Sequence, residues 1–556
     1  MGKNTRRTFL ILFIAVLISG LSTAFVINQE SRDFRLGKNL DIFLSLVREL
    51  NTFYVEEFDP DKIIRAAIDG ILRTLDPYTT YYSESETGDL DLMTTGKYGG
   101  IGCLVRNNGD YAIVTEVYKG FPADAAGVKV GDMIVKVDGR TLKGFPVDKV
   151  SEHLKGDPGT AITVTVMRNG REYDFSMKRE RISLPPVPWY GMIDSKTGYI
   201  RFTNFTQSCN EDVRKALLDL KKNSPEGIIL DLRSNPGGIM NEAVDVVNLF
   251  TGPGTEVVST KGKVKQFDAT YKTRSQAVDE NIPLVILINR ASASASEIVA
   301  GAIQDLDRGV IVGQRSFGKG LVQITRPLSF NAQLKVTTAK YYIPSGRCIQ
   351  AIDFAHRNED GSVGYIPDSL IKTFFTRNGR PVKDGGGITP DIEIVPETLS
   401  QIATELYIRN HIFDYATLFF WSHQDIASID HVTVTDSVYN DFIRFLEKRG
   451  FNYQTLTERA FSDLTDNARR EKYYDVNRDL FSALEKEITH NLRKDLENFR
   501  SEITEILTDE IIRRYFYEEG AIEWSVRNDE QVKKGMEILN NKALYRSVLS
   551  GKNNSN

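Results

Sequence analysis

The residues best placed for chemistry are Ser292-Ala293-Ser294-Ala295-Ser296-Glu297, which follow the apolar stretch LVILI and precede EIVAGAIQDL. A strand that delivers a serine to the start of a helix puts its hydroxyl beside unpaired main-chain N–H groups. Such groups can stabilise the oxyanion of a tetrahedral intermediate. Ser and Glu at a helix start also serve as ordinary caps, so the run alone does not separate catalysis from capping. A serine nucleophile needs a base. No histidine lies between His153 and His356, so a Ser-His-Asp triad would have to borrow one from another domain. Lysine is the alternative base, provided burial keeps its amine neutral. The candidate is Lys319, in Ser316-Phe317-Gly318-Lys319-Gly320, where the glycines permit close backbone approach.

The elements around these residues read as a multidomain α+β protein. After the Pro-rich break PPVP at 185–188, apolar strands (GYIRF, GIILDLR, PLVILIN, GVIVG) alternate with helical stretches. That alternation predicts an α/β core over 185–395, with helices packed on a sheet. Residues 36–78 have helical periodicity, and 79–97 read as a polar loop or linker. Short strands and turns dominate 97–180, and 396–556 are charged and helical. Lys3, Arg6 and Arg7 precede an uncharged run, 8–27, long enough to span a bilayer. We expect residues 1–30 to be a signal anchor with the body exported to a bacterial periplasm. Cleavage after Ala24 is the rival reading.

Composition excludes several classes. A net charge of −5 gives no electrostatic reason to expect nucleic-acid binding. Three scattered cysteines and six scattered histidines offer no metal-ligand spacing, so no cofactor is expected. Gly313 to Gly320 nearly matches a phosphate-binding loop. The hydroxyl residue that should follow its lysine is Gly320, and a strand follows where a helix is required.

Tyr98-Gly99-Gly100-Ile101-Gly102-Cys103-Leu104, then GFPADAAGVKVGDMIVKVDGRTL (120–142) and GDPGTAITVTVMRNG (156–170), together resemble a PDZ domain. In such a module consecutive amides hold a free C-terminal carboxylate while the peptide adds a strand to an open edge. The peptide-binding residues are then Gly100, Ile101, Gly102 and Cys103, the last three supplying amides.

DLRSNPGG at 231–238, SASASEI at 292–298, SFGKGLVQ at 316–323 and GGITPD at 386–391 resemble the carboxy-terminal processing peptidases, or tail-specific proteases. The resemblance implies a Clp/crotonase-like core and a serine endopeptidase with a Ser–Lys dyad. The family's spacing to the lysine selects Ser294 as nucleophile and Lys319 as general base. Gln323 would orient the lysine amine. The amide of Ala295, with one from Gly237 or Gly238, would form the oxyanion hole. About 35 residues (351–385) intervene before the GGITPD segment where the family runs on quickly, and their role is open. The implied partners are protein or peptide substrates held by their C-termini. The helical regions would serve a homodimer or an adaptor. The competing reading is a catalytically inert PDZ/helical scaffold.

Overall fold

The computed structural model describes residues 32–57, 59–395, 398–423 and 426–550. The chain divides into two compact units, Met1–Tyr81 and Tyr82–Asn556.

The first unit carries one helix over 32–53 and a second over Pro60–Arg73. Asp59 caps the second, its carboxylate accepting from Asp61 N at 3.0 Å. Pro60 takes the first turn, where no N–H is required. Apolar side chains on both helices stay exposed, among them Phe34 at 72%, Leu44 at 61% and Ile71 at 64%. The predicted membrane segment 8–27 lies outside the described residues. Among those described, no helix is long and apolar enough to cross a membrane.

The second unit is organised around one sheet. Strand β1 (Trp189–Met192) runs antiparallel to β2 (Thr197–Arg201). Then β3 (Gly227–Asp231), β4 (Leu284–Ile288), β5 (Val310–Gly313) and β6 (Ile392–Glu393) follow in order, each parallel to its neighbour. Every residue of β3 and β4 is buried, as expected where both faces of a parallel sheet are covered. Helices Cys209–Lys221, Met240–Asn248 and α1 (Ala295–Asp305) cover one face around Leu230, Ile286 and Ile303. The other face, with Ile229, Val285 and Val312, is closed by α2 (Glu530–Asn540) and helix Lys542–Ser550. Val532, Gly535, Ile538 and Leu539 of α2 are buried. A Cβ at Gly535 would stand 3.0 Å from Ile229 Cδ1, so the glycine sets how closely the helix approaches. The charged C-terminal stretch thus divides. Residues 401–526 build a helical core of their own around Leu406, Phe442 and Leu507, while 530–550 belong to the sheet.

Strands 103–108, 111–117, 133–137, 140–141, 161–168 and 171–178 form a separate antiparallel sheet. Its core includes Val114, Ile134, Val150 and Val164. This module is fastened to the helical core. Tyr517 Oη donates to Asp124 at 2.8 Å, and Lys119 pairs with Glu519 at 3.3 Å. The segment read as a loop over 79–97 contains a helix, Thr87–Thr95, closed by Gly96 in the left-handed conformation. Tertiary bonds hold it, Gln207 N to Thr94 O at 2.9 Å and Leu184 N to Gly96 O at 3.0 Å. Local composition does not reveal those partners.

Candidate active site

Strand β4 ends at Ile288, and the chain turns through 289–293 to place Ser294 at the N-cap of α1. Its backbone has φ 56° and ψ −114°, a region that costs a non-glycine residue about 1–3 kcal/mol. Several bonds over-determine it. Ser294 N donates to Glu297 Oε2 at 2.8 Å, and Tyr341 Oη donates to Ser294 O at 3.2 Å. The flanking serines are structural. Ser292 Oγ donates to Leu232 O at 2.8 Å, Ser296 Oγ donates to Asn235 O at 2.9 Å, and both residues are fully buried. Ser294 alone of the three is partly open. Ser294 is also the serine that the family spacing selects.

Lys319 lies just before strand Leu321–Pro327. Gly318 has φ +87°, and a Cβ there would fall 2.4 Å from Ala351 Cβ; one on Gly320 would fall 2.8 Å from Gln350 N. Both glycines are therefore required for the turn to close. Gly387 and Ile388 of the GGITPD segment back this turn, with Ile388 N donating to Ser316 Oγ at 2.7 Å. Asp391 fixes the segment to the core by accepting from Ile311 N at 2.8 Å and Gln304 Nε2 at 2.9 Å. Gln323 lies on the following strand, its Nε2 donating to Thr337 Oγ1 at 3.1 Å.

Glu297 joins the two halves. It is fully buried and accepts four hydrogen bonds. Ser316 Oγ and Gly318 N reach Oε1 at 2.6 and 2.7 Å, while Ser294 N and Lys319 N reach Oε2 at 2.8 and 2.9 Å. One carboxylate oxygen thus holds the main-chain nitrogens of both Ser294 and Lys319, within two hydrogen-bond lengths of each other. Sequence reading gave Glu297 only a capping role. The Ser-x-x-Glu spacing was the available signal, and it cannot show that the carboxylate also binds a segment 19 to 22 residues downstream.

Burial pushes the Glu297 carboxyl up to about 7, against donors that favour its ionised form. All four partners donate, so the site needs an acceptor-only carboxylate. Turnover is therefore expected to fall as pH drops through about 7. The stability contributed by this group moves the other way, because its pKa is raised on folding. It is fully present below the ordinary value of 4.5 and is lost as pH rises through about 7. Rates and thermal melts taken from about pH 5 to 8 check both signs. Glu297→Gln should lower the rate and remove the inflection near 7, and an unchanged inflection would assign it to another group.

The DLRSNPGG loop approaches Ser294 from β3. Asp231 is buried and accepts from Tyr199 Oη at 2.6 Å, Arg233 Nη2 at 2.6 Å and Arg201 Nη1 at 3.0 Å. Burial opposes its charge, but Arg233 and Arg201 outweigh it and hold the carboxyl below the usual range. Asn235 then ties the loop to the serine segment, its carbonyl accepting from Ala293 N at 3.0 Å as well as from Ser296 Oγ. At Gly237, with φ +96°, a Cβ would meet Ala293 O at 2.6 Å, Ala295 N at 2.7 Å and Ser294 Cβ at 2.8 Å. Gly237 N already donates to Asn235 Oδ1 at 2.9 Å. The sequence left Gly237 and Gly238 as alternative donors, and this bond takes the Gly237 amide out of the pair. Its contribution is clearance. The amides of Gly238 and Ala295 have no acceptor among the described residues.

The PDZ-like loop has matching features. Gly102 has φ +80°, and a Cβ there would fall 2.6 Å from Phe121 Cβ. The carbonyls of Ile101 and Gly102 accept from Ala123 N and Tyr118 N at 2.8 and 2.9 Å, while their own amides have no acceptor among the described residues. Gly100 and Cys103 lie opposite Glu180 and Val117 in the flanking strand pairs.

Comparison with known proteins agrees with this layout. Residues 196–356 match peptidase family S41, 99–178 a PDZ domain, and 402–539 the family described as probable PDZ-protease, C-terminal helical domain. The chain is 35% identical over 366 residues to a carboxy-terminal-processing protease of Bartonella bacilliformis, covering 65% of this chain and 80% of that one. It is 36% identical over 314 residues to a probable CtpA-like serine protease of Staphylococcus aureus, covering 56% of this chain and 62% of the relative, just under two thirds of its length. A solved photosystem II D1 C-terminal processing protease aligns over 64% of this chain and 87% of its own, at 27% identity and a TM-score of 0.36. The family matches and the curated relatives make this a serine-type peptidase core carrying a PDZ domain. The chain belongs to the carboxy-terminal-processing protease family, peptidase family S41.

Proposed function

We propose that Ser294 and Lys319 form the catalytic dyad of a tail-specific endopeptidase, and that the PDZ loop captures the substrate's C-terminal carboxylate. The observation that carries this reading is the shared Glu297 oxygen, which fixes both main-chain nitrogens of the pair. Neutral Lys319 Nζ takes the proton from Ser294 Oγ as the oxygen attacks the peptide carbonyl. The resulting oxyanion is met by the Ala295 and Gly238 amides. As the C–N bond breaks, the Lys319 ammonium returns the proton to the leaving amine. A water then attacks the acyl-enzyme, giving its proton to Lys319, and Ser294 is regenerated by the reverse transfer. Gln323 orients the lysine amine throughout. No metal or organic cofactor takes part.

Ile101 and Gly102 supply the free amides for the carboxylate, with Gly100 and Cys103 framing them. A cleft lined by Asp148, Lys149, Glu152, Lys155, Gln207 and Ser208 lies between the PDZ module and the core segment that carries Gln207 and Ser208, which leaves room for a chain held by the PDZ loop. The exposed apolar residues along 34–75 support self-association of the first unit. The basic flank and apolar run before residue 28 support a membrane anchor with the body in the periplasm.

Amidating the C-terminus of a peptide substrate tests the capture step. The amide should raise KM by about tenfold or more, with kcat little changed, because a charge-assisted contact made equally in ground and transition states is lost. Gly102→Val should do the same to the free acid and abolish the difference between the two peptides. Equal KM for acid and amide on the wild-type enzyme would remove carboxylate capture from the account.

A further inference from the structure

Arg233 faces two ways. Its Nε and Nη2 donate to Asp231 at 3.0 and 2.6 Å, inside the loop that carries Gly237 and Gly238. Its Nη1 leaves the loop and donates to Asp529 Oδ2 at 2.6 Å, with Gln531 Oε1 at 3.3 Å. Asp529 is the N-cap of α2, its other oxygen accepting from Gln531 N and Val532 N at 2.8 and 3.0 Å. The side chains of Arg233 and Asp529 are only 16% and 24% exposed, so this is not a loose surface pair.

Charge balance explains why the second carboxylate is there. Asp231 faces two guanidinium groups, Arg201 and Arg233, which leaves one positive charge in excess. Asp529 neutralises it and occupies the outer edge of Arg233. The fork of Arg233 is thereby held in one orientation. The turn it braces continues directly into Asn235, which holds Ala293 N, Ser296 Oγ and Gly237 N.

We propose that Asp529, on the C-terminal segment, is a positioning residue for peptide hydrolysis, acting through Arg233 to set the loop that presents the Gly238 amide. This inference rests on the Ser294 reading and extends the active site's supports to a residue 296 positions from Arg233 in sequence. The catalytic centre is complete only when α2 is seated on the sheet.

Serine and asparagine are as good at a helix N-cap as aspartate, so the cap and the pairing can be separated. Asp529→Ser keeps the cap but cannot reach Arg233, and Asp529→Asn keeps an acceptor without the charge. In the full chain, with a peptide substrate, Asp529→Ser should lower kcat about ten- to a hundredfold with KM within about twofold. Asp529→Asn should fall between it and wild type, and both should melt within about 3 °C of wild type. On an Arg233→Gln background, Asp529→Ser should add no further loss of kcat, the signature of action through that arginine. A wild-type kcat in Asp529→Ser, or an equal further loss on the Arg233→Gln background, would overturn the proposal. Ser294→Ala, run alongside, reports on the dyad alone. Turnover surviving there, with the Asp529 coupling intact, would displace Ser294 as nucleophile while leaving the loop's support in place.

Discussion

Replacing Lys319 by alanine is expected to lower kcat/KM by at least about three orders of magnitude, and Ser294→Ala by a similar factor. Members of a nucleophile–base pair act as a unit. The double variant should therefore be scarcely worse than either single one. The expectation follows from position as well as chemistry. No histidine lies within the sequence of the core sheet and its flanking loops up to His356, and that residue is an exposed partner of Asp353. Lys319 is held at the serine by a buried carboxylate that contacts both main-chain nitrogens. Steady-state hydrolysis of a peptide by the three variants measures this. Additive losses, or a Lys319→Ala enzyme within tenfold of wild type, would place the base elsewhere.

Gly237→Ala should be nearly as damaging, for a different reason. A methyl group there has nowhere to go, since it would meet the carbonyl of Ala293, the amide nitrogen of Ala295 and the Cβ of Ser294, all within 2.8 Å. Two of these are backbone atoms of the segment that carries the nucleophile and the Ala295 donor. Moving either displaces the serine from the oxyanion site, and losing one donor's alignment typically costs about 10²–10³ in kcat. Gly254 offers the control. Its φ is +82°, yet a Cβ would find nothing within 4 Å, so Gly254→Ala should cost about 1 kcal/mol of stability and leave kcat unchanged. A Gly237→Ala enzyme with wild-type kcat would show that the loop can shift freely, and the oxyanion assignment would fail with it.

The sequence made the core strands visible because GIILD and LVILI are apolar at every position, which only a sheet covered on both faces tolerates. It did not say what covers the second face. The helix that does so, α2, lies some 240 residues after β4, and its charge density reads as solvated surface until Val532, Ile538 and Leu539 are seen packed. The same distance hides Asp529 from Arg233. The proposed Ser294 and Lys319 are read from their motifs, and Gly238 only as one of two alternatives. What favours Gly238 in the proposal is the side chain of Asn235, whose Oδ1 takes the Gly237 amide. The role of the insertion 351–385 was open in the sequence, a channel wall or a flap. It forms two hairpins, Ile352–Arg357 with Val363–Tyr365 and Thr373–Phe375 with Pro381–Lys383. Arg380 fastens the second to Asp307 at 2.6 Å and to Gln304 O at 3.0 Å. A buried arginine with several partners far apart in sequence leaves no local pattern to find.

The central claim is that Ser294, and neither neighbour, carries the acyl group. The most direct measurement is acid quench of a single turnover with a peptide substrate, followed by trypsin digestion and fragmentation mass spectrometry of residues 291–308, which contain all three serines. We predict an acyl adduct on Ser294 in wild type and none in the Lys319→Ala chain. An adduct on Ser292 or Ser296, or one undiminished in Lys319→Ala, would contradict the account.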